Sequence, residues 1–402
     1  MKKRKNRPIL LISNSSWYLF HYRNLLIKTL KKTNYVVTLS PYDNFTQFLE
    51  ENSINFLWYI SQNAIEINPF EFSRSLIRMI FFIKVIKPKL LHSHTLKANL
   101  ATAITAYIFN IPNVLSFTGF GRLSTSPFSG IFLKFILKII LFLSTHKLSR
   151  NSLITYSKGR GSFIFQNKHD LDFYYKHIDK KKSYKCNLIY GSGIPEIYLK
   201  RDTPSTYGWD TDHEKCSNNI ETVNIIFCGR LLISKGIRLF LELAKSNNDY
   251  NNYIFGSINS KSKDYIKSKE IEEANNIFNN IQFLGNMENP LLTINFNKPI
   301  LVVPSLYGEG LSRSIIEAMS LEIPVICSEN ATSRIFDEKM LYIAKGNTIK
   351  DYSNCIESIY KDYTNKNLQK KLLYSKEKSF KLFKEEEIVK QTINIYKNLL
   401  DN

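Results

Sequence analysis

The sequence predicts two tandem α/β domains, each built on its own parallel sheet. Through most of its 402 residues short apolar runs alternate with helical stretches, the pattern of βα units around a parallel sheet. The alternation breaks around Tyr190 at the turn Gly191-Ser192-Gly193-Ile194-Pro195, runs through a polar, aperiodic stretch over 200–222, and then restarts. The length suits two domains of about 150–200 residues, and 44% hydrophobic with 22% charged residues supplies two cores.

In the first half the strand candidates are 9–12, 35–39, 56–59, 90–92, 114–117, 153–156 and 186–190, with helices over 22–32, 72–86 and 99–109. After the break they are 223–228, 253–255, 281–284, 300–303 and 324–327, and the last fifty residues read as helices. The domain boundaries follow: 1–195, a linker over 196–222, 223–370, and C-terminal helices over 371–402. In sheets of this kind ligands sit beyond the carboxyl ends of the strands, so residues just after strands carry the functional signal.

Fifty-five Lys and Arg against 35 Asp and Glu give a net charge of +20, which calls for an anionic partner or a solvated surface. No zinc finger or RNP1-like strand favours nucleic acid. Five widely spaced cysteines, Cys186, Cys216, Cys228, Cys327 and Cys355, show no metal-ligand spacing and read as reduced thiols. The apolar run 9–12 is too short for a signal h-region, and 131–143, interrupted by Lys134 and Lys138, is too short to span a bilayer. The expected location is cytoplasmic and peripheral, at the inner face of the cell membrane.

The most informative stretch is 302–327, VVPSLYGEGLSRSIIEAMSLEIPVIC. A strand ends at Pro304-Ser305, a loop carries Glu309, a helix starts near Leu311 or Ser312, and Glu317 lies inside it. Amides at Gly310, Leu311 and Ser312 mark a helix N-terminus, and a carboxylate beside them suits sugar hydroxyls better than a bare anion. Read alone, Glu309 also fits a solvated loop residue and Glu317 a surface partner of Arg313 four residues earlier. A second constellation joins Phe227-Cys228-Gly229-Arg230 to Ser234-Lys235-Gly236: a strand end, a glycine, then two cations suited to a diphosphate.

Together these stretches resemble family 4 of the retaining glycosyltransferases, which have the GT-B architecture of two Rossmann-like domains whose parallel sheets face across a cleft. Its Glu-x7-Glu motif is similar to Glu309–Glu317, and its Gly-Arg…Lys-Gly segment to Gly229-Arg230…Lys235-Gly236. In the first half ISNSSWYLFHYR (12–23), LHSHTLKAN (91–99) and SFTGFG (116–121) resemble acceptor-side loops of bacterial transferases that act on lipid-linked diphosphate sugars. The resemblance covers about residues 8–350.

It implies that Arg230 and Lys235 hold the diphosphate of a nucleotide sugar, that Glu317 accepts from the ribose, and that Glu309 binds the donor sugar with the amides of Gly310 to Ser312. It implies no side-chain nucleophile, no metal and no other cofactor. UDP-linked N-acetylhexosamines are the first donors it suggests. On the acceptor side it points to Asn14, Arg23, His94, Lys97, Thr118, Gly119 and Arg122. Thr118-Gly119 stands where many family members carry a His, Ser13-Asn14-Ser15-Ser16 replaces a double glycine, and 328–334 replaces a second Gly-rich loop.

His92 and His94 are read as facing opposite ways at their strand end, one toward the cleft and the other packed beneath; no neighbouring carboxylate completes a metal site. Two alternatives stay open. A metal-dependent GT-A transferase would need an Asp-x-Asp after a strand, and Asp170-Leu-Asp172 and Asp210-Thr-Asp212 both sit in polar, non-strand contexts. A non-catalytic basic protein that keeps the fold is the other. No GxGxxG follows a strand to support a nicotinamide enzyme.

Overall fold

The computed structural model describes residues 7–52, 54–57, 68–124, 127–147, 155–156, 160–199, 209, 223–258, 264–293 and 296–401. The chain divides into two compact units, Met1–Gly193 with Glu385–Asn402, and Ile194–Lys384.

In chain order the first unit contains β1 (Ile9–Ile12), α1 (Ser16–Lys31), β2 (Val36–Ser40), α2 (Thr46–Asn52), β3 (Ile54–Leu57), α3 (Pro69–Ile86), β4 (Leu90–His94), α4 (Leu96–Phe109) and β5 (Asn113–Phe117). There follow α5 (Pro127–Thr145), a small ribbon of β6 (His146–Lys147) and β7 (Thr155–Tyr156), then β8 (Gly161–Phe165), α6 (Lys168–His177) and β9 (Cys186–Leu188). The main sheet is parallel, in the order β3-β2-β1-β4-β5-β8-β9. Strands such as Ile9–Ile12 are apolar throughout because both faces are covered.

Leu10, Ile12, Val37, Leu39 and Leu91 face one side, under α3 and α4, and Leu115, Phe117, Phe163 and Phe165 continue that core under α5. Ile9, Leu11, Val36, Leu90, Val114 and Ile164 face the other side, under α1 and a helix from the far end of the chain.

The second unit contains α7 (Glu196–Leu199), β10 (Asn224–Cys228), α8 (Ile237–Ser246), β11 (Asn251–Phe255), α9 (Ser268–Ile277), β12 (Ile281–Gly285), α10 (Pro290–Thr293) and β13 (Pro299–Val303). It ends with α11 (Arg313–Ser320), β14 (Val325–Ser328), β15 (Tyr342–Ala344), α12 (Ile349–Thr364) and α13 (Leu368–Phe383). Its sheet runs β12-β11-β10-β13-β14-β15, again all parallel. In both sheets the order reverses beside the first strand, between β1 and β4 and between β10 and β13. That is the switch point where α/β sheets open a crevice.

Some expectations need correction. Of the expected strand 153–156, Thr155–Tyr156 belong to the ribbon rather than the main sheet and 153–154 lie outside the described residues; the sheet strand is Gly161–Phe165, whose Gly-Ser start hides it. Strand β15 is only three residues long and was not anticipated. The polar stretch 196–222 is not all outer loop. Trp209 is fully buried, donates from Nε1 to the Pro299 carbonyl at 3.3 Å, and meets Tyr360 and Tyr363 edge-on; the rest of 200–222 lies outside the described residues. The C-terminal helices do not act together: α13 stays with the second unit, while α14 (Glu385–Leu400) returns to the first. It does so because Ile388, Val389, Ile395, Tyr396 and Leu399 form one apolar stripe that packs with Leu19, Leu26 and Leu30 of α1.

His92 and His94 also need correction. Residues two apart on a strand share a face, and their rings lie 4.2 Å apart on the side covered by α1 and α14. His92 bonds through Nδ1 to the Tyr396 hydroxyl and through Nε2 to Ser116 Oγ at 2.7 Å. His94 is fully buried, 5.3 Å from the Tyr18 ring, and neither ring nitrogen has a partner among the described residues. Burial holds both imidazoles well below the ordinary histidine range; Arg23 adds to the effect on His92, and His92 and Arg23 to that on His94.

Both rings are therefore neutral in the folded chain, whereas in the unfolded chain they protonate near pH ~6.5. Below that value the unfolded state binds more protons, so stability falls with pH by up to about 1.4 kcal/mol per unit for each histidine. Urea unfolding from pH 7.5 to 5.5 should show the loss beginning near ~6.5, and a flat profile contradicts this packing.

Candidate functional site

Strands β10 and β13 are neighbours, so the chain emerging from one runs beside the chain emerging from the other. After β10 come Gly229 and the exposed Arg230, then a tight 3-10 turn over Ile233–Lys235. Ser234 Oγ donates to Asp264 Oδ2 at 2.5 Å, and the Leu306 amide donates to the Ser234 carbonyl at 2.9 Å, tying the turn to the end of β13. Gly236 closes it at φ 78°, where an added Cβ would lie 1.9 Å from the Pro304 carbonyl oxygen. Only glycine fits both conditions.

The turn sets Lys235 Nζ 3.4 Å from Glu309 Oε1 and 3.5 Å from Oε2. Ser305 Oγ donates to Glu309 Oε1. Burial works against the charge on Lys235, but the Glu309 carboxylate, with Tyr307, outweighs it and holds the ammonium above its ordinary range. Arg230 is near enough for its charge to oppose that of Lys235. The Glu309 backbone is fixed from the next loop: its amide donates to the Asn330 carbonyl at 3.1 Å, and Ser333 Oγ donates to its carbonyl at 3.4 Å. That loop, 328–334, lacks the expected glycines yet keeps left-handed backbone at Ser333 and Arg334.

Glu317 lies on α11, whose N-cap Ser312 is buried behind the half-buried Gly310 and Leu311. Arg313 Nε donates to Glu317 Oε1 at 2.6 Å, so the pairing read from spacing is present. It is not a surface pair, because Glu317 is 8% exposed. Burial raises the Glu317 carboxyl above the usual carboxylate range, against the pull of Arg313 and the Tyr198 hydroxyl. The Cys228 thiol, at the tip of β10, is pushed up to about 12 by burial and by Glu317. Gly229, Arg230, Lys235, Glu309 and Glu317 thus come together at one switch point. Ser305, Asn330, Ser333 and Asp264 support them with no sequence signal beyond their places after strands, and Tyr198, on α7, supports them with none.

In the first unit the predicted residues fall into two sets. Asn14 follows β1, Lys97 lies in the first turn of α4, and Thr118 and the exposed Gly119 follow β5. Arg23, on the buried side of α1, and His94 instead lie in the layer between that helix and the sheet, where Arg23 Nη2 donates to the Tyr18 hydroxyl at 3.0 Å. The Arg122 side chain is outside the described residues. Asp170 is occupied structurally, accepting from the Phe120 amide at 2.9 Å and from Asn167 Nδ2 at 2.8 Å, while Asp172 pairs with Lys168. Asp210 and Asp212 lie outside the described residues.

Residues 210–378 match the family model described as Glycosyl transferases group 1. The match falls within the second unit, so the family likeness is one of that part of the chain. No curated protein matches the chain. Among solved structures, a glycosyltransferase from Rickettsia africae is 17% identical with a TM-score of 0.71, covering 99% of both chains. The Anabaena protein HepE, solved with UDP, is 16% identical with a TM-score of 0.72, covering 98% of this chain and 100% of that one. Sucrose-phosphate synthase from Thermosynechococcus elongatus is 15% identical with a TM-score of 0.72, covering 98% and 99%. The fold is therefore that of the GT-B glycosyltransferases.

Because Gly236 is left-handed and pressed on Pro304, Gly236→Ala should lose at least about 1–2 kcal/mol in denaturant unfolding. Wild-type stability in that variant would remove the turn as the device that aims Lys235.

Proposed function

We propose that the chain is a retaining, metal-independent glycosyltransferase. It moves a sugar, with UDP-linked N-acetylhexosamines the first donors to test, to a lipid-diphosphate-linked glycan in bacterial surface polysaccharide assembly at the inner face of the membrane. The observation that carries this reading is Lys235, kept charged by Glu309 at the switch point of a segment that matches the glycosyl transferases group 1 model. An ammonium held there, with exposed Arg230 beside it, suits a diphosphate and the charge that grows on it as the glycosidic bond breaks. UDP and UDP-glucose in the similar HepE structures support the UDP-linked donor.

Glu317 accepts from ribose hydroxyls and Glu309 from hydroxyls of the donor sugar, beside the α11 N-terminus formed by Gly310, Leu311 and Ser312. With Glu309 engaged by Lys235 and Ser305, its part is to bind and orient rather than to attack the sugar. The bond from the anomeric carbon to the diphosphate oxygen breaks, the bond to the acceptor oxygen forms on the same face, and the acceptor proton passes to the leaving phosphate. The cations do the work a metal does elsewhere. Asn14, Lys97, Thr118 and Gly119, all just past strand ends of the first unit, are the acceptor-side residues this reading favours. Arg23 and His94 act from beneath as packing.

Hydrogen bonds to charged groups are worth about 1.5–3 kcal/mol, so Arg230→Ala and Lys235→Ala should each lower transfer about ten- to hundredfold. Wild-type turnover in either variant is the contrary result. Calorimetry with UDP separates the glutamates: Glu317→Ala should weaken binding, whereas Glu309→Ala should leave it nearly unchanged and depress transfer. Loss of UDP binding in Glu309→Ala would reverse the assignment.

A further inference from the structure

The helices over the first face of the unit-one sheet carry apolar side chains outward as well as inward. On α3, Ser75, Met79 and Ile83 are buried toward the sheet. Phe70, Ile77, Phe81 and Val85 are exposed by 82, 66, 64 and 63%. At about 100° per residue these four fall within one arc opposite the buried stripe, and the exposed Arg74, Arg78 and Lys84 fall in the same arc. The neighbouring α4 adds the exposed Ile108. On α5, Leu133, Ile136, Leu137 and Ile140 are buried while Ile131, Phe135 and Phe142 point out with Lys138 among them. Lys134 instead lies 5.9 Å from the Phe173 ring centre. Scattered exposed apolar residues are ordinary, but a set this dense on adjacent helices marks a surface that meets something apolar.

We infer that the outward face of α3 and α5 is a docking surface for an anionic lipid bilayer. The charge pattern selects this occupant. Every charge interleaved with the apolar stripes is positive, Glu71 on α3 is the single acid on the two helices, and the chain as a whole carries +20. Apolar rings seated among acyl chains with Arg and Lys at headgroup level is how an amphipathic helix lies in an interface plane. No described helix is long and apolar enough to cross a membrane, so this surface gives peripheral attachment. It deepens the membrane location proposed above and rests on that part of the reading, but it stands apart from the donor site, because vesicle binding is read without turnover.

Flotation of the full chain with vesicles of phosphatidylcholine alone, or with added phosphatidylglycerol, tests it. The wild type should float with the anionic vesicles, stay down with the neutral ones, and release as salt rises. Ile77→Ser with Phe81→Ser, and separately Arg74→Glu with Lys84→Glu, should each cut the floating fraction about fivefold or more while unfolding like the wild type. Lys339→Glu with Lys350→Glu, on exposed positions of the second unit, makes the same charge change and should float normally. The inference is overturned if the wild type ignores anionic vesicles, if the α3 variants float unchanged, or if the Lys339/Lys350 variant loses as much. It is also overturned if light scattering shows a dimer that the Ile77/Phe81 variant splits, since a second copy would then cover the face.

Discussion

The ion pair between Lys235 and Glu309 is the interaction on which the candidate site depends. A lysine with little contact with water is costly to keep charged, and here the nearby carboxylate repays that cost. The pair depends on three loops, after the neighbouring strands β10, β13 and β14, that are locked together. Gly236 against Pro304, Leu306 on Ser234, and Asn330 and Ser333 on Glu309 form that lock. Each tie ends on backbone, and only that from Ser333 uses a side chain, so the charges are placed by the fold rather than by flexible side chains finding one another. Such placement before a ligand arrives is what makes electrostatic stabilisation effective.

The first unit solves a different problem. Its sheet needs cover on two faces, and one is completed by a helix nearly two hundred residues further along the sequence. Closing α14 over α1 seals Arg23, His92 and His94 into a buried layer, where two imidazoles stay neutral. The other face is closed by α3, α4 and α5, and leaves their outer sides greasy and basic. One sheet therefore has one face devoted to internal stability and another whose cover looks outward.

Much of this was legible in the sequence because parallel strands buried on both faces are short apolar runs, and residues after them stand at the mouth of the sheet. Arg230, Lys235 and Glu309 were singled out that way, Glu317 by its place in the helix that follows, and the roles expected of all four came from the resemblance of the two stretches to a transferase family. The illegible parts have physical reasons. Gly161–Phe165 opens with residues that favour turns. Trp209 is an anchor in a polar stretch, and the Ser333 hydroxyl that bonds the Glu309 carbonyl sits on left-handed backbone that composition does not announce. The shared face of the two histidines follows from strand geometry alone. That α14 belongs to the first unit rests on which apolar stripe it meets, and a linear pattern gives the stripe without its partner.

The central claim is that the charged lysine at the β10–β13 switch point holds the diphosphate of a nucleotide. Phosphorus NMR of UDP added to excess protein in EDTA tests it directly. Both phosphorus resonances should move from their free positions with the wild type and stay at them with Lys235→Met, whose side chain keeps the length and loses the charge. Free positions with the wild type, or bound positions retained in the variant, would contradict the account.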